Sequence, residues 1–171
     1  MKEKGFTMLE VLCALTVGAI AVAIVIPGFS NVLRRSRLDA AVRQVVLDVR
    51  EARARAVSTG WEYRVVGYGN DEDDADLRNQ YRLLARRSSV VDWPAEDSVS
   101  FESATQLAEN WIDLQGRFPG VTLGTADPRF ELTFDARGSA TAGEFNPLTI
   151  TGHDDEEKSL TVSVVGSIRI E

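Results

Sequence analysis

The stretch that decides the fold is KGFTMLEVLCALTVGAIAVAIVIPGFSNVL, residues 4–33. Its last 23 residues, 11–33, carry no charge. As an α-helix these residues would extend roughly 34 Å, which is enough to cross the hydrocarbon core of a bilayer. Lys2 and Lys4 precede the uncharged block and predict a cytoplasmic N-terminus, with the remainder of the chain on the far side of the membrane.

Two interpretations of this block compete. A cleaved secretory signal peptide has a shorter apolar region, of about 7–15 residues, although Ala21-Val22-Ala23 resembles a signal peptidase site. A membrane anchor that stays on the mature protein fits the length of the block better. Glu10 lies at the mouth of the apolar run, where a carboxylate is costly unless it has a partner. Glu10 is therefore a candidate functional residue.

Three further residues of the block have a structural interpretation. Pro27 removes a helix hydrogen bond, so together with Gly28 it predicts a kink or a locally melted turn around residues 23–28. The same pair can also simply mark the end of the membrane span. Cys13 is interpreted as a small packing residue within the helix, with lipidation as the alternative.

After residue 33 the pattern becomes amphipathic and basic. Apolar residues repeat at spacings of four and three on one helix face: Leu38, Val42, Val45, Val49, Ala52 and Ala56. Seven arginines lie mostly off that face: Arg34, Arg35, Arg37, Arg43, Arg50, Arg53 and Arg55. We predict one long helix over residues 6–58 that stops at Gly60. The arginines form a solvated face, attract anionic phospholipid at the membrane exit, or pair with acidic neighbours in an assembly.

The rest of the chain predicts a small β-rich domain. Residues 61–68 and 80–85 read as paired strands around an acidic loop, and further strands are expected at 121–123, 130–134, 145–151, 160–165 and 167–170. Residues 153–158 read as a polar hairpin loop, and 103–113 as a short helix or irregular structure. Six to eight short strands after one long helix define an α+β fold with antiparallel sheets.

Little in the sequence points to catalysis, and the protein is expected not to be an enzyme. The chain has one Cys and one His, and no phosphate-binding, serine-hydrolase or zinc-protease motif. His153 lies among acidic residues and is interpreted as solvated rather than as a metal ligand. The acidic loop offers a weak Ca²⁺ candidate, although it lacks the EF-hand glycine and terminal glutamate. Its carboxylates are Asp71, Asp73, Asp74 and Asp76. No cofactor is expected.

The segment Lys4-Gly5-Phe6-Thr7-Met8-Leu9-Glu10 resembles the processing motif of type IV pilins and type II secretion pseudopilins. The resemblance implies that a prepilin peptidase cuts after Gly5 and methylates the new N-terminal residue, Phe6. It also implies that the apolar helix stays on the mature protein. The amine of Phe6 in one subunit would pair with the Glu10 carboxylate of a neighbour, which offsets the cost of two poorly solvated charges. Glu10 and Thr7 are accordingly expected to be assembly residues.

The C-terminal part resembles the H-type minor pseudopilin and its FimT-like pilus relatives. The resemblance is carried by Phe134-Asp135-Ala136-Arg137-Gly138 and by the strand pair that ends in Gly166-Ser167-Ile168-Arg169-Ile170. It implies a minor pseudopilin that supports export of folded proteins across the outer membrane, or alternatively a FimT-like minor pilin of type IV pili or DNA uptake. FimT-like DNA binders tend to carry more arginine near the final glycine, where this chain has only Arg169.

Charge favours the secretion reading. The net charge of −7 combines zero for residues 1–33, +4 for 34–55 and −11 for 56–171, and an acidic domain repels phosphates. The expected organisation is a leader (1–5), a transmembrane and assembly helix (6–33), an amphipathic helix half (34–58) and a periplasmic β-rich domain (59–171). The expected partners are other major and minor pseudopilins, prepilin peptidase and inner-membrane lipid, with no nucleic acid. The protein would be stored in the bacterial inner membrane and enter a periplasmic pseudopilus.

Overall fold

A single helix of 52 residues, α1 (Met8–Thr59), forms the N-terminal part of the computed structural model. The structure describes residues 7–95, 101–124, 128–142, 145 and 147–171, and for 23–29, 101, 102, 142 and 154 it describes the backbone alone. Thr7 caps the start of α1. Gly60 ends it in the left-handed region at φ 72°, and its N–H donates to the Ala56 carbonyl at 3.0 Å. A glycine is suited to this conformation because it has no Cβ.

Eleven strands follow within the described ranges. They are β1 (Glu62–Tyr68), β2 (Gln80–Arg86), β3 (Phe101–Glu102), β4 (Gln106–Ala108), β5 (Ile112–Asp113), β6 (Thr122–Gly124), β7 (Arg129–Phe134), β8 (Ala140–Ala142), β9 (Leu148–Thr151), β10 (Glu157–Val162) and β11 (Ile168–Ile170). A short helix, α2 (Leu114–Arg117), precedes β6, and a 3₁₀ helix (His153–Asp155) precedes β10.

The strands form two antiparallel sheets. The larger has the order β3-β4-β2-β1-β7-β8, with β5 also paired to β2, and the smaller has the order β11-β10-β9-β6. In the larger sheet Tyr63 lies opposite Ala85 on one side and Phe134 on the other. In the smaller sheet Leu160 lies opposite Ile170 and Leu148. The α+β class with antiparallel sheets is therefore confirmed.

The second half of α1 packs on the inner faces of both sheets. All six residues of the predicted apolar stripe are buried, and they meet Phe130, Leu132 and Phe134 of β7 and Ile150 of β9 in one core cluster. Burial of each large apolar side chain contributes on the order of 1.5–3 kcal/mol. A second, smaller cluster lies on the outer face of the larger sheet, where Trp93 covers Val66, Leu84 and Ala108. The amphipathic half of α1 thus joins the helix to the β-rich part of the chain at 59–171, which we call the head.

The prediction of a short helix or irregular structure for residues 103–113 was wrong in part. Gln106–Ala108 and Ile112–Asp113 form β4 and β5, the residues between and before them are irregular, and the helical turn comes later, as α2. Ala108 lies opposite Leu84 at the edge of β2, so tertiary pairing decides the conformation of a segment with no clear period. The strand count was also too low, because β3, β4, β5 and β8 have only two or three residues. The hairpin loop at 153–158 is shorter than predicted, since β10 begins at Glu157.

The membrane-spanning expectation has its own finding. Among the residues that the structure describes, no helix combines the length and the apolar character needed to cross a membrane.

Candidate assembly surface

The first half of α1 presents an uncovered apolar surface. Every described side chain from residue 7 to residue 22 is exposed, with Leu15 at 66% and Ile20 at 63%. Cys13 is a free cysteine and is among these exposed residues. The fifteen helical residues 8–22 extend about 22 Å. An apolar surface of this length marks an interaction with other proteins or with lipid.

Thr7 and Glu10 lie at the start of this surface. The Thr7 hydroxyl accepts a hydrogen bond from the Glu10 backbone N–H at 3.3 Å, which satisfies one of the free donors of the first helical turn. Glu10 is also the one acidic residue in that turn, where the helix dipole favours a negative charge. The two residues are thus brought together as a helix start. Gly5 and Phe6 lie outside the described residues, so the processing site stays a prediction.

The α1 backbone is helical through Pro27 and Gly28. The turn around these residues is therefore retained in the structure, and the kink in the helix axis stays a prediction. Their side chains lie outside the described part.

Arg53 has a role that the helix pattern alone does not reveal. Its Nε donates to the Gly138 carbonyl at 3.1 Å, and its Nη2 donates to the Val165 carbonyl at 2.8 Å. Gly138 and Gly166 both adopt positive φ, at 78° and 75°. A Cβ on Gly166 would lie 2.6 Å from Arg53 Nε, so the guanidinium fills the space between the two turns. The two glycines of the C-terminal sequence motif therefore converge on one helix residue.

The start of the amphipathic half of α1 forms ion pairs with the segment around β10. Arg35 pairs with Glu156 at 3.8 Å, and Lys158 pairs with Asp39 across α1 and β10. The hydrogen bond from Lys158 lowers the pKa of the Asp39 carboxyl, although desolvation opposes the shift. Arg35 of the basic cluster is thus paired within its own chain, an arrangement that none of the three interpretations of the cluster included.

Arg55 forms the second charged cluster of the helix. It pairs with Glu51 at 2.6 Å and with Glu109 of the loop after β4. Desolvation is the largest single influence and acts to lower the pKa of Arg55, but the hydrogen bonds and charges of Glu109 and Glu51 together outweigh it, and the pKa is raised. Arg55 therefore stays charged and fixes the loop after β4 to the helix.

The acidic loop is exposed, as predicted, and its carboxylates bond to nearby backbone. Glu72 accepts from the Asp73 N–H at 3.1 Å, and Asp74 accepts from the Asp76 N–H at 2.9 Å. Within the described residues, no three His, Cys, Asp or Glu side chains are arranged to hold a metal ion. This geometry gives no support to a Ca²⁺ site at Asp71, Asp73, Asp74 and Asp76.

Asn79, at the end of the acidic loop, is a buried polar residue that bonds to three other segments. It is fully buried at φ 57°, and its Oδ1 accepts from the Leu123 N–H at 2.8 Å. Its Nδ2 donates to Asn70 Oδ1 at 3.1 Å and to Gln115 Oε1 at 3.0 Å. Asn79 therefore ties the acidic loop to α2 and to the smaller sheet. Sequence reasoning missed this residue, because Asn before a strand is an ordinary turn signal.

Tyr81 and Asp48 form a polar contact between α1 and β2. The Tyr81 hydroxyl donates to Asp48 Oδ2 at 2.5 Å, and Gln44 Nε2 donates to the same carboxylate at 2.9 Å. Burial, together with the neighbouring Asp48, raises the pKa of the Tyr81 hydroxyl well above its usual range. The Asp48 carboxylate of α1 is thus hydrogen-bonded where it meets β2. The Tyr81 hydroxyl keeps its proton and donates a hydrogen bond to that carboxylate.

Comparison with known proteins fits this architecture. A model of the prokaryotic N-terminal methylation motif matches residues 1–26, and a model of the type II transport protein GspH matches residues 41–167. The chain belongs to the GspH family. The GspH match covers most of the buried half of α1 and strands β1 to β10, and it ends just before β11. It includes Arg53, Gly138 and Gly166.

A solved structure supports the same fold for this GspH-family chain. The type IV minor pilin FimU of Pseudomonas aeruginosa is similar at 19% identity and a TM-score of 0.51, over 80% of this chain and 90% of that chain. At this identity the likeness extends to the fold alone. No curated protein matches the chain. The expected place in the GspH and FimT-like branch of the type IV pilin superfamily is therefore confirmed.

Proposed function

We propose that this GspH-family chain is a minor pseudopilin, a structural subunit of the type II secretion pseudopilus. One observation carries the proposal: a single helix joins a methylation motif and an exposed apolar half to a second half buried in a folded head. The head holds one end of the helix in place, and the other end needs a partner. We infer that this partner is membrane lipid before assembly and the helices of neighbouring pseudopilins afterwards.

Processing would generate the charge that drives assembly. Prepilin peptidase would cut after Gly5 and methylate Phe6, leaving a cationic amine four residues before Glu10. The Thr7 cap holds the first turn of α1 in helical form and so fixes where the Glu10 carboxylate lies. Pairing with the Phe6 amine of a neighbour would set the axial register between subunits. A kink at Pro27 and Gly28 would let the apolar half bend away from the head.

The proposed location follows from the same parts. The chain would rest in the bacterial inner membrane with its N-terminus in the cytoplasm and its head in the periplasm. The boundaries proposed are a leader at 1–5, an apolar helix at 6–33, an amphipathic half at 34–58 and the head at 59–171. The role is that of a structural subunit and not of an enzyme.

A second candidate function is a FimT-like minor pilin of type IV pili or DNA uptake. The likeness to FimU, whose description is that of a type IV minor pilin, favours it. Against it stands the charge of residues 56–171, which carry 10 basic and 21 acidic residues. Contact with nucleic-acid phosphates needs a basic surface, so we rank this candidate second.

Deletion of the gene in its source bacterium separates the two functions. For a pseudopilin we expect folded exoproteins to accumulate in the periplasm while pili and transformation stay normal. Complementation with the wild-type chain should restore secretion, and Glu10→Ala should not, although that variant should reach the membrane at the wild-type level. Loss of pili or of DNA uptake with normal secretion would reverse the ranking.

A further inference from the structure

The edge of the smaller sheet carries unpaired backbone groups. β11 is the last strand in the order β11-β10-β9-β6. Glu171 and Ser159 exchange both backbone hydrogen bonds, at 2.9 and 3.0 Å, and Ser163 donates to the Ser167 carbonyl at 2.9 Å. In an antiparallel ladder the bonded pairs alternate, so the N–H and C=O groups of Ile168 and Ile170 point away from β10. Among the residues that the structure describes, no further strand pairs with them.

A groove lies beside this edge and continues the core. It has a volume of about 710 Å³ and runs between α1, at Ala54 and Val57, and the strand pair at Gly166 and Ile168. Ile168 lies opposite Val162 and Ile170 opposite Leu160, and both of those partners are buried in the core. The inner face of β11 is thus apolar, yet Ile170 is 48% exposed and Val57 is 55% exposed. Apolar side chains at this edge of the smaller sheet are therefore left partly uncovered.

The charge around the groove is positive. Arg50 lines it and is exposed, whereas the Arg53 guanidinium is engaged by the two turn carbonyls. Arg169 lies on the other face of β11 and pairs with Glu171 at 3.7 Å. Arg50 therefore supplies a local positive charge at the groove, on a head whose residues 56–171 carry a net charge of −11. An acidic side chain in this groove would therefore meet an opposite charge.

We propose that β11 is the docking edge for an extended segment of another protein, one that alternates apolar and acidic side chains. Its backbone would pair with Ile168 and Ile170, its apolar side chains would cover Val57 and Ala54, and an acidic side chain would reach Arg50. This is strand addition at an exposed sheet edge. A helix could fill the groove but would leave the four edge groups unpaired. The site uses the C-terminal part of α1 but none of its exposed apolar residues at 8–22, so its test is independent of the proposed filament role.

A defined peptide tests the docking edge. The probe is a fluorescent eight-residue peptide alternating valine and glutamate, titrated against the full-length protein in detergent micelles with fluorescence anisotropy as the readout. Ile170→Pro removes one outward N–H that β10 does not use, so we expect at least a tenfold loss of affinity with an unchanged melting temperature. The matched control Ile170→Val should bind within about twofold of wild type.

Two further arms keep the result independent of how the proline variant folds. The same peptide N-methylated at alternate residues cannot donate along one edge, and it should lose binding to the wild-type protein by a similar factor. Arg50→Glu should weaken the valine–glutamate peptide about tenfold and strengthen a valine–lysine peptide. Both changes leave the core untouched.

Several results would overturn the proposal. Absence of saturable peptide binding, or equal binding of the N-methylated peptide, would exclude strand addition. A labelled DNA duplex that binds with sensitivity to Arg50→Glu, while the peptide does not bind, would make the groove a nucleic-acid face. Self-association lost in Ile170→Pro, again without peptide binding, would make the edge a contact between two copies of this chain.

Discussion

Removing the Arg53 guanidinium tests how the helix holds the C-terminal turns. Arg53→Ala deletes the bonds to the Gly138 and Val165 carbonyls, at 3.1 and 2.8 Å. A hydrogen bond from a charged donor contributes about 1.5–3 kcal/mol, and partial exposure of this side chain reduces that to about 1 kcal/mol each. We therefore expect a loss of about 2 kcal/mol, which lowers the melting temperature of a domain of this size by about 4–8 °C.

Thermal unfolding of the full-length protein in detergent micelles measures this loss. Trp61, Trp93 and Trp111 all lie in the head, so their fluorescence and near-ultraviolet circular dichroism report on it. Arg50→Ala is the matched control, because Arg50 is an exposed arginine on the same helix. An Arg53→Ala protein that melts within about 1 °C of the Arg50→Ala protein would refute the clamp.

A double substitution sharpens the same test. Gly166→Ala alone forces a Cβ to within 2.6 Å of Arg53 Nε and 2.7 Å of the Gly138 carbonyl oxygen. In the Arg53→Ala background the first of these contacts is gone, so Gly166→Ala should cost less than it does in the wild type. The left-handed φ of Gly166 leaves a residual cost of about 1–2 kcal/mol. Strict additivity of the two substitutions would show that Arg53 and Gly166 do not interact.

Three further predictions follow from the buried polar groups and from the titrating carboxylates. Asn79→Ala should destabilise the head by about 3 kcal/mol, because it leaves a buried N–H unpaired and strains a positive φ; Asn79→Gly should recover about 1 kcal/mol of that in urea unfolding. Tyr81→Phe should cost about 1–2 kcal/mol in the same assay, and equal stability would remove Asp48 as a partner. Asp39 and Asp135 have lowered pKa values, Asp135 through its hydrogen bond from the Ser139 N–H, so their stabilisation is complete above about pH 4 and is lost as pH falls through the folded values. Asp39→Asn should flatten the acid side of the stability profile, and an unchanged slope would contradict this.

The helix and its two halves were predictable from the sequence because their signals are long. Six apolar residues at helical spacing identify the buried face of α1, and Gly60 marks its end, as the structure confirms. Strands β1, β2 and β7 have six or seven residues each and were likewise found. A long apolar repeat shows the same helical or alternating spacing many times, so the secondary structure can be predicted from it with little help from the rest of the fold.

The missed parts share one physical reason: distant residues determine them. β4 forms because it pairs with the edge of β2. A strand of three residues is too short to show an alternating pattern in the sequence. Arg53 meets Gly138 and Val165, which are 85 and 112 residues away in sequence. The sequence motif did single out Gly138 and Gly166, but their helical partner could be found only once the turns were placed in space. Helix position alone left Arg53 open to a solvated face, to anionic phospholipid or to acidic neighbours in an assembly, and to none of the partners that the fold gives it.

The contacts that the head makes with α1 likewise give its basic residues different surroundings. Arg35 and Arg55 pair with acidic residues of the loops, whereas Arg50 stays exposed beside the groove. The charge count along the helix predicts one basic face. In the fold, some of its arginines form ion pairs within the chain and Arg50 remains exposed at the groove. Charge totals therefore describe segments of this chain better than they describe its surfaces.

The intact mass of the protein purified from membranes tests the proposed pseudopilin role most directly. We predict that the chain lacks residues 1–5 and begins at a singly methylated Phe6, with the apolar helix retained. A Gly5→Ala control should keep the full leader. A mature chain that begins after Ala23, as a signal peptidase product would, or a wild-type chain that retains Met1 or an unmethylated Phe6, would contradict the proposed pseudopilin.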